Sequence, residues 1–264
     1  MFTLMELVQP TSLEEAYEIL TKRKNNAVIG GSAFLRMGKK RIGTGIDLSG
    51  LNLNLIEESS DYIEIGAMTT LRDLEVNPIL NKYFDGVLPK SVRDIIGIQF
   101  RNVVTVGGSV FSRYGFSDLI VCLLALETEV ELYNGGRMLL DEFLNKNYEK
   151  DILVKLYIKK NNASAVYKCM RNSRSDYPIL NMSVSKVDSD FKICVGARPQ
   201  RATIAHKASE FLSNNELNEE NIIKASEIAA EELVFGSNIW ASKEYRKAVC
   251  KSLVKNALME VSSC

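Results

Sequence analysis

The sequence predicts an α+β protein in three parts, and three features of the chain lead there. Near the N-terminus a short apolar strand, a glycine turn, a short helix and a second strand follow one another as a small βαβ part over residues 1–57. From 58 to 160, alternating apolar and polar strands are interleaved with helices, as a mixed sheet requires. Beyond about residue 160 the order changes to a run of strands and then a run of helices, which reads as an antiparallel sheet with helices over 161–264.

In chain order, Ser12-x-x-Glu15 is a capping box, and Leu13, Ala16, Tyr17 and Leu20 fall on one face of the helix it opens. Ala27-Val28-Ile29 is a short buried strand that runs into Gly30-Gly31-Ser32. A short helix is expected around Phe34 to Met37, then a strand at Ile46-Asp47-Leu48. Tyr62 to Gly66 alternates as a strand with one wet face, and Thr70 caps a short helix over Leu71 to Leu74. Tyr83 to Gly97 reads as mostly helical despite Pro89. After a second glycine segment, Ser117 stands as an N-cap and Asp118 in the first turn of a buried helix that runs to Leu126. Thr128 to Tyr133 and Arg137 to Leu140 are strands joined by an Asn134-Gly135 hairpin turn, and Ile152 to Ile158 is another. Ala163 to Met170, Ile179 to Val187 and Phe191 to Ala197 follow as strands, then helices over Ile204 to Leu212, Glu219 to Leu233 and Lys243 to Met259.

Composition narrows the function classes. With 33 basic and 33 acidic residues the net charge is zero, against the excess of Lys and Arg that a general nucleic-acid or anionic-membrane binder needs. No apolar run approaches the ~20 residues of a membrane span and the start lacks the pattern of a secretory leader, so a cytoplasmic protein is expected. Five scattered cysteines with no C-x-x-C, and a single histidine, His206, at a helix start, predict buried thiols with no metal site and no histidine-based catalytic device. Redox or group-transfer chemistry would then rest on a bound cofactor.

The most informative residues are a repeated pattern. Val28-Ile29-Gly30-Gly31-Ser32 is echoed by Thr105-Val106-Gly107-Gly108-Ser109. Each alone reads as a tight turn after a strand. Together they suggest two glycine turns, with φ > 0 and converging N–H groups, holding a diphosphate from both sides. Gly43-x-Gly45 lacks the third glycine of a dinucleotide fingerprint, and no G-x-x-x-x-G-K-[ST] occurs.

These residues, together with Pro10-Thr11-Ser12-Leu13-Glu14-Glu15-Ala16, Ile65-Gly66-Ala67, Arg101-Asn102, Ser117-Asp118-Leu119, Gly196-Ala197-x-Pro199 and Ser242-x-x-Tyr245-Arg246, resemble the FAD-binding (medium) subunit of molybdenum hydroxylases. The type members are xanthine dehydrogenase and molybdenum carbon monoxide dehydrogenase, and the likeness spans nearly the whole chain. The resemblance implies that Val28, Ile29, Gly30, Gly31, Ser32, Ala33 and Phe34, with Thr105, Val106, Gly107, Gly108 and Ser109, bind the FAD diphosphate and adjoining sugar groups. It also implies that Asp118 accepts hydrogen bonds from cofactor hydroxyls; the other reading of Asp118 is a first-turn carboxylate favoured by the helix dipole. Leu153 and Lys168 align with residues lining the flavin. Asp176 and Tyr177 occupy a strand position where relatives carry an acidic residue and an apolar one, so Tyr177 would cover the flavin ring and govern access; the local sequence equally fits a sheet residue beside Pro178. Phe111-Ser112-Arg113-Tyr114-Gly115-Phe116 is bulkier than the loop expected there. The implied function is electron transfer from [2Fe–2S] clusters of one partner subunit, fed by a molybdenum-cofactor subunit, through FAD to an acceptor, NAD⁺. The alternatives are a non-catalytic assembly protein of the same fold and a self-contained flavin reductase.

Overall fold

A computed structural model describes residues 1–261. The chain forms two compact units, each assembled from non-contiguous segments.

Unit 1 comprises residues 1–74, 97–112 and 128–158. It holds β1 (Thr3–Val8), α1 (Leu13–Lys22), β2 (Ala27–Ile29) and β3 (Arg41–Asp47). These strands form a parallel sheet in the order β1-β3-β2. The Ser12 hydroxyl accepts from the Glu15 amide, as the capping box predicts, while the Glu15 carboxylate turns back to the Thr11 amide and hydroxyl. Ala16 and Leu20 of α1 pack on Ile46 and Leu48 as the sequence pattern requires. A second sheet of the same unit runs β4-β5-β8-β6-β7, from β4 (Ile56–Glu58), β5 (Tyr62–Gly66), β6 (Thr128–Leu132), β7 (Gly136–Leu139) and β8 (Leu153–Lys159). The Asn134-Gly135 turn is fastened by Asp151, whose carboxylate accepts both turn amides at 3.0 and 2.8 Å. Short helices α2 (Leu71–Val76), α5 (Ile98–Arg101), α6 (Val106–Phe111) and α8 (Leu140–Asn145) complete this part of the chain. Thr70 caps α2 through Asp73.

Unit 2 comprises residues 75–96, 113–127 and 159–264. Its antiparallel sheet runs β12-β11-β10-β9, from β9 (Ser164–Met170), β10 (Leu180–Val187), β11 (Asp190–Gly196) and β12 (Thr203–Ile204). Helices α9 (His206–Ser213), α10 (Glu219–Glu232) and α11 (Lys243–Val261) share a core with it, built on Met182, Val184, Ile193, Ala225, Ala229 and Val254. Two short helices, α3 (Pro78–Lys82) and α4 (Val87–Val92), precede α7 (Asp118–Ala125), which is buried along its whole length. Pro89 is tolerated because it lies in the first turn of α4, where its missing N–H has no helical partner.

Besides short elements that the sequence reading did not foresee, such as β4, α3, α5 and β12, it differs from the structure in these respects. The strand expected at 46–48 is longer, Arg41–Asp47, and a further strand, β1, pairs with it. Gly107 and Gly108 are not a turn with positive φ; they lie inside α6, which Thr105 caps. Asp176 and Tyr177 lie in the loop between β9 and β10, not in a strand. Leu140 opens a helix instead of ending a strand. Among the described residues, no helix is long and apolar enough to cross a membrane. Cys122, Cys194 and Cys250 are buried and reduced, Cys169 is half-buried, and Cys264 lies outside the described residues.

Candidate functional site

The two glycine segments meet in unit 1. A Cβ on Gly30 would lie 2.8 Å from the Thr105 hydroxyl and 3.4 Å from the Gly108 Cα, and one on Gly108 would lie 2.8 Å from the Gly30 carbonyl. Glycine is required at both because two backbones touch. The first segment does turn through the left-handed region, with φ of 75° at Gly31 and 56° at Ser32, the kind of turn that aims successive N–H groups into one concavity. Val28 and Ile29 lead into it from β2, and Ala33 and Phe34 follow as a half-buried loop.

The second segment is built differently. The Val106 amide donates to Thr69 O, Gly107 to Ala67 O, Gly108 to the Thr105 hydroxyl and Ser109 to Thr105 O. With those four amides committed, and the Ser109 hydroxyl itself donating to Thr105 O at 3.0 Å, α6 contributes its compact backbone, not an anion nest. The expected pair of nests is thus one nest buttressed by a helix.

Beside them lies a cavity of about 400 Å³ at the carboxyl ends of the parallel strands, lined among others by Leu7, Ile29, Gly31, Asp47, Asn102 and Thr105. Ligands of parallel sheets bind at this end because loops there diverge. Its polar lining includes Ser49, Asn54, Thr70 and Asp73, acceptors and hydroxyls suited to sugar hydroxyls and an amino group. The carboxylates disfavour a phosphate there, whereas a turn of the Gly31-Ser32 kind suits one. The residues present therefore fit the nucleotide half of FAD. Leu153 is buried at the start of β8 in the same unit.

In unit 2, Asp118 sits at the first position of α7 behind the Ser117 cap and is buried. Its carboxylate accepts from the Tyr167 hydroxyl at 2.5 Å, the Asn181 amide at 2.8 Å and the Arg171 guanidinium at 2.8 Å. Burial pushes the carboxyl above its ordinary range, opposed first by the charge of Arg171 and then by the three donors. Asp118 is thus the centre of a protein network rather than a carboxylate held open for hydroxyls. Arg171 extends the network: it donates to the Asp176 carbonyl at 2.8 Å and so ties α7 to the loop carrying Asp176 and Tyr177. Tyr177 is half-buried, edge-on to Phe116 with ring centroids 4.9 Å apart. Lys168, on β9, pairs with Glu260. Tyr167, Arg171 and Asn181 escape a sequence reading because each is a lone polar residue in or beside a strand; only the register pairing β9 with β10 brings them to Asp118.

Residues 2–158 match the family described as "FAD binding domain in molybdopterin dehydrogenase", and residues 165–261 the "CO dehydrogenase flavoprotein C-terminal domain". The chain is 26% identical to the nicotine 6-hydroxylase medium subunit of Paenarthrobacter nicotinovorans, with 96% of each chain covered. It is 24% identical to the glyceraldehyde dehydrogenase medium chain of Sulfolobus acidocaldarius, with 97% of each covered. Its fold is that of a chain of the quinoline 2-oxidoreductase of Pseudomonas putida 86, with a TM-score of 0.88 at 21% identity over 100% of this chain and 97% of that one. A chain of the Cu,Mo-CO dehydrogenase gives 0.89 at 18% identity over 100% and 99%. With both family matches falling on the segments that carry the glycine turns and the antiparallel sheet, the chain belongs to the FAD-binding domain family of molybdopterin dehydrogenases and is an FAD-binding subunit of the molybdenum hydroxylase kind.

Proposed function

We propose that this chain carries electrons from [2Fe–2S] clusters of a partner subunit through FAD to NAD⁺, in a xanthine dehydrogenase-like complex whose molybdenum subunit oxidises a heterocycle or aldehyde. The observation that supports it most is the match of an FAD-binding domain over residues 2–158 joined to a CO dehydrogenase flavoprotein C-terminal domain over 165–261. The named relatives are a hydroxylase medium subunit and a dehydrogenase medium chain, which fits a subunit of an oxidoreductase complex better than an assembly protein or a self-contained reductase. FAD, when bound, supplies the interchange between one-electron donors and a hydride acceptor.

The residues of this chain then bind and orient. On this reading the Gly31-Ser32 turn holds the diphosphate, backed by Gly107 and Gly108 of α6, with the Ser109 hydroxyl beside it. Asp47 and Asn102 face the nucleotide sugar, and Leu153 and Lys168 line the flavin. Asp118 and Arg171 hold the loop from which Tyr177 covers one ring face. Covering the ring matters because a reduced flavin open to solvent reacts with dioxygen before an acceptor arrives.

The test is purification under gentle conditions from a cell that makes the whole complex. The expected result is a flavin spectrum, co-purifying chains that contain molybdenum and iron–sulfur clusters, and substrate-dependent reduction of NAD⁺. A flavin-free chain with no such partners would favour the assembly protein. A flavin-loaded chain that purifies alone and turns over by itself would favour the reductase.

A further inference from the structure

Three loops of unit 2 place aromatic rings in one row. Tyr114 stacks on Phe116 at 5.1 Å, Phe116 meets Tyr177 edge-on at 4.9 Å, and Tyr177 lies 6.0 Å from Trp240. Trp240 belongs to the connection between α10 and α11. That connection displays large apolar side chains to solvent: Trp240 is 45% exposed and Ile239 is 90% exposed. A connection serving only to join two helices has no need of either.

The connection is nevertheless well fastened: the Gly236 amide donates to Arg198 O at 2.6 Å and the Lys243 amide to Ser237 Oγ at 2.9 Å, and one buried side chain ties it to the Tyr177 loop. Arg246, the fourth residue of α11, is 1% exposed. It donates to Gly236 O at 2.7 Å, Ala241 O at 2.8 Å and Asn238 Oδ1 at 2.7 Å, and Asn238 Oδ1 also receives the Trp240 amide at 3.1 Å. Its Nε donates to Ile179 O at 2.9 Å, at the end of the loop that carries Tyr177. All four acceptors are uncharged oxygens. A buried guanidinium is costly without a carboxylate, so its place here is set by the two loops it joins. The Tyr177 loop is pinned a second time by Arg171 at Asp176 O. A ring with neighbours on two sides and a backbone fixed at two carbonyls does not swing out by its own rotamer change.

We propose that Arg246 is a positioning residue for acceptor access: by fastening the 236–241 connection to the end of the 171–179 loop it sets Trp240 against Tyr177, so that the two rings open and close together. The inference rests on the reading that Tyr177 covers the flavin. Trp240 is then the outer member of the cover, and its replacement acts on the acceptor step.

The chain contains one tryptophan, so the difference in emission between each complex and its counterpart carrying Trp240→Ala reports on this site. The experiment compares Tyr177→Ala, Trp240→Ala, Arg246→Lys and Arg246→Met in the FAD-loaded complex, with flavin content measured for each. Arg246→Met is expected to shift Trp240 emission to longer wavelength and lower its anisotropy, with Arg246→Lys intermediate. Trp240→Ala, a change at an exposed tip that leaves the core intact, is expected to alter the ratio of flavin reoxidation by dioxygen to reoxidation by NAD⁺ several-fold, in the direction of Tyr177→Ala. Wild-type emission and anisotropy in Arg246→Met would overturn the tie between the loops. If Tyr177→Ala changes the ratio while Trp240→Ala and Arg246→Lys leave it alone, the coupling is wrong and the Tyr177 reading stands. If Tyr177→Ala is itself silent, that reading falls and the inference with it.

Discussion

Asp118 shows how a residue can be picked out correctly from sequence and yet be given the wrong neighbours. A carboxylate behind a Ser cap at the start of an apolar helix is legible as special, but its partners come from β9, β10 and the loop between them. Replacing it with alanine leaves the Arg171 guanidinium without its counter-charge in a largely buried place. The expected cost is about 3–5 kcal/mol, the usual penalty for breaking a buried pair. Urea unfolding of Asp118→Ala measures this, and flavin content measured on the folded fraction separates the two roles. A variant of wild-type stability that has lost FAD would make Asp118 a ligand residue after all. Gly108 carries the same lesson, because the Gly-Gly pair announces a close approach without saying to what. The approach is to the Gly30 carbonyl, 2.8 Å from where a Cβ would stand. Gly108→Ala should therefore push the two glycine segments apart, lowering the flavin-to-protein ratio while the far-ultraviolet circular dichroism stays near wild type. Full flavin occupancy in that variant would sink this account.

Elements were legible where local chemistry and tertiary structure agree. Ser12, Thr70 and Ser117 each accept an amide at the helix start they mark. The alternation in β5 and the antiparallel run β9 to β11 matches the sheets formed. β1 escaped because Met5 and Leu7 are exposed while Leu4 and Val8 are partly buried, so its two faces are not told apart by polarity. The α6 helix escaped because Gly-Gly opposes helix formation, and only Thr69 O and Ala67 O, reached through tertiary structure, receive its first amides. Lys150 belongs with these hidden contacts. Its ammonium donates to the carbonyls of Leu20, Arg23 and Asn26 at 2.7–3.0 Å, closing the C-terminal end of α1 just before β2 and the first glycine turn. Burial holds its pKa below the ordinary lysine value. Lys150→Met should cost about 1–2 kcal/mol, because three carbonyls, two of them partly buried, lose a charged donor. Hydrogen exchange should show the loss as faster exchange in α1 and β2, and unchanged protection there would mean that water replaces the ammonium without cost.

At the scale of the whole molecule, local pattern identifies α7 as a buried helix but cannot say which sheet buries it. The answer, β10 and β11 of unit 2, takes residues 113–127 away from the unit that holds the segments on either side of them in sequence. One consequence is a thiol-rich interior in unit 2, with Cys122 on α7, Cys194 on β11 and Cys250 on α11 all buried. Burial pushes the Cys250 thiol up to about 12, with the charge of Arg198 acting the other way, and it pushes Cys122 higher still. An unfolded cysteine titrates near ~8.5. Below that pH both states hold the proton and the contribution to stability is complete. Above it the unfolded chain releases a proton that the folded chain keeps until about 12, so unfolding is increasingly favoured as pH rises through that window. Each such thiol contributes a slope of at most ~1.4 kcal/mol per pH unit. Lysines and tyrosines titrate over the same range, so the informative quantity is a difference between two proteins. Cys250→Ala should be less stable than wild type at pH 7 because it leaves a small cavity, yet lose less stability between pH 9 and pH 11 because one proton no longer couples to unfolding. Urea unfolding under reducing conditions across that range gives both slopes. Parallel slopes would mean that the thiol ionises in the folded protein, and that water reaches a place in the core of unit 2 where Cys250 is fully buried.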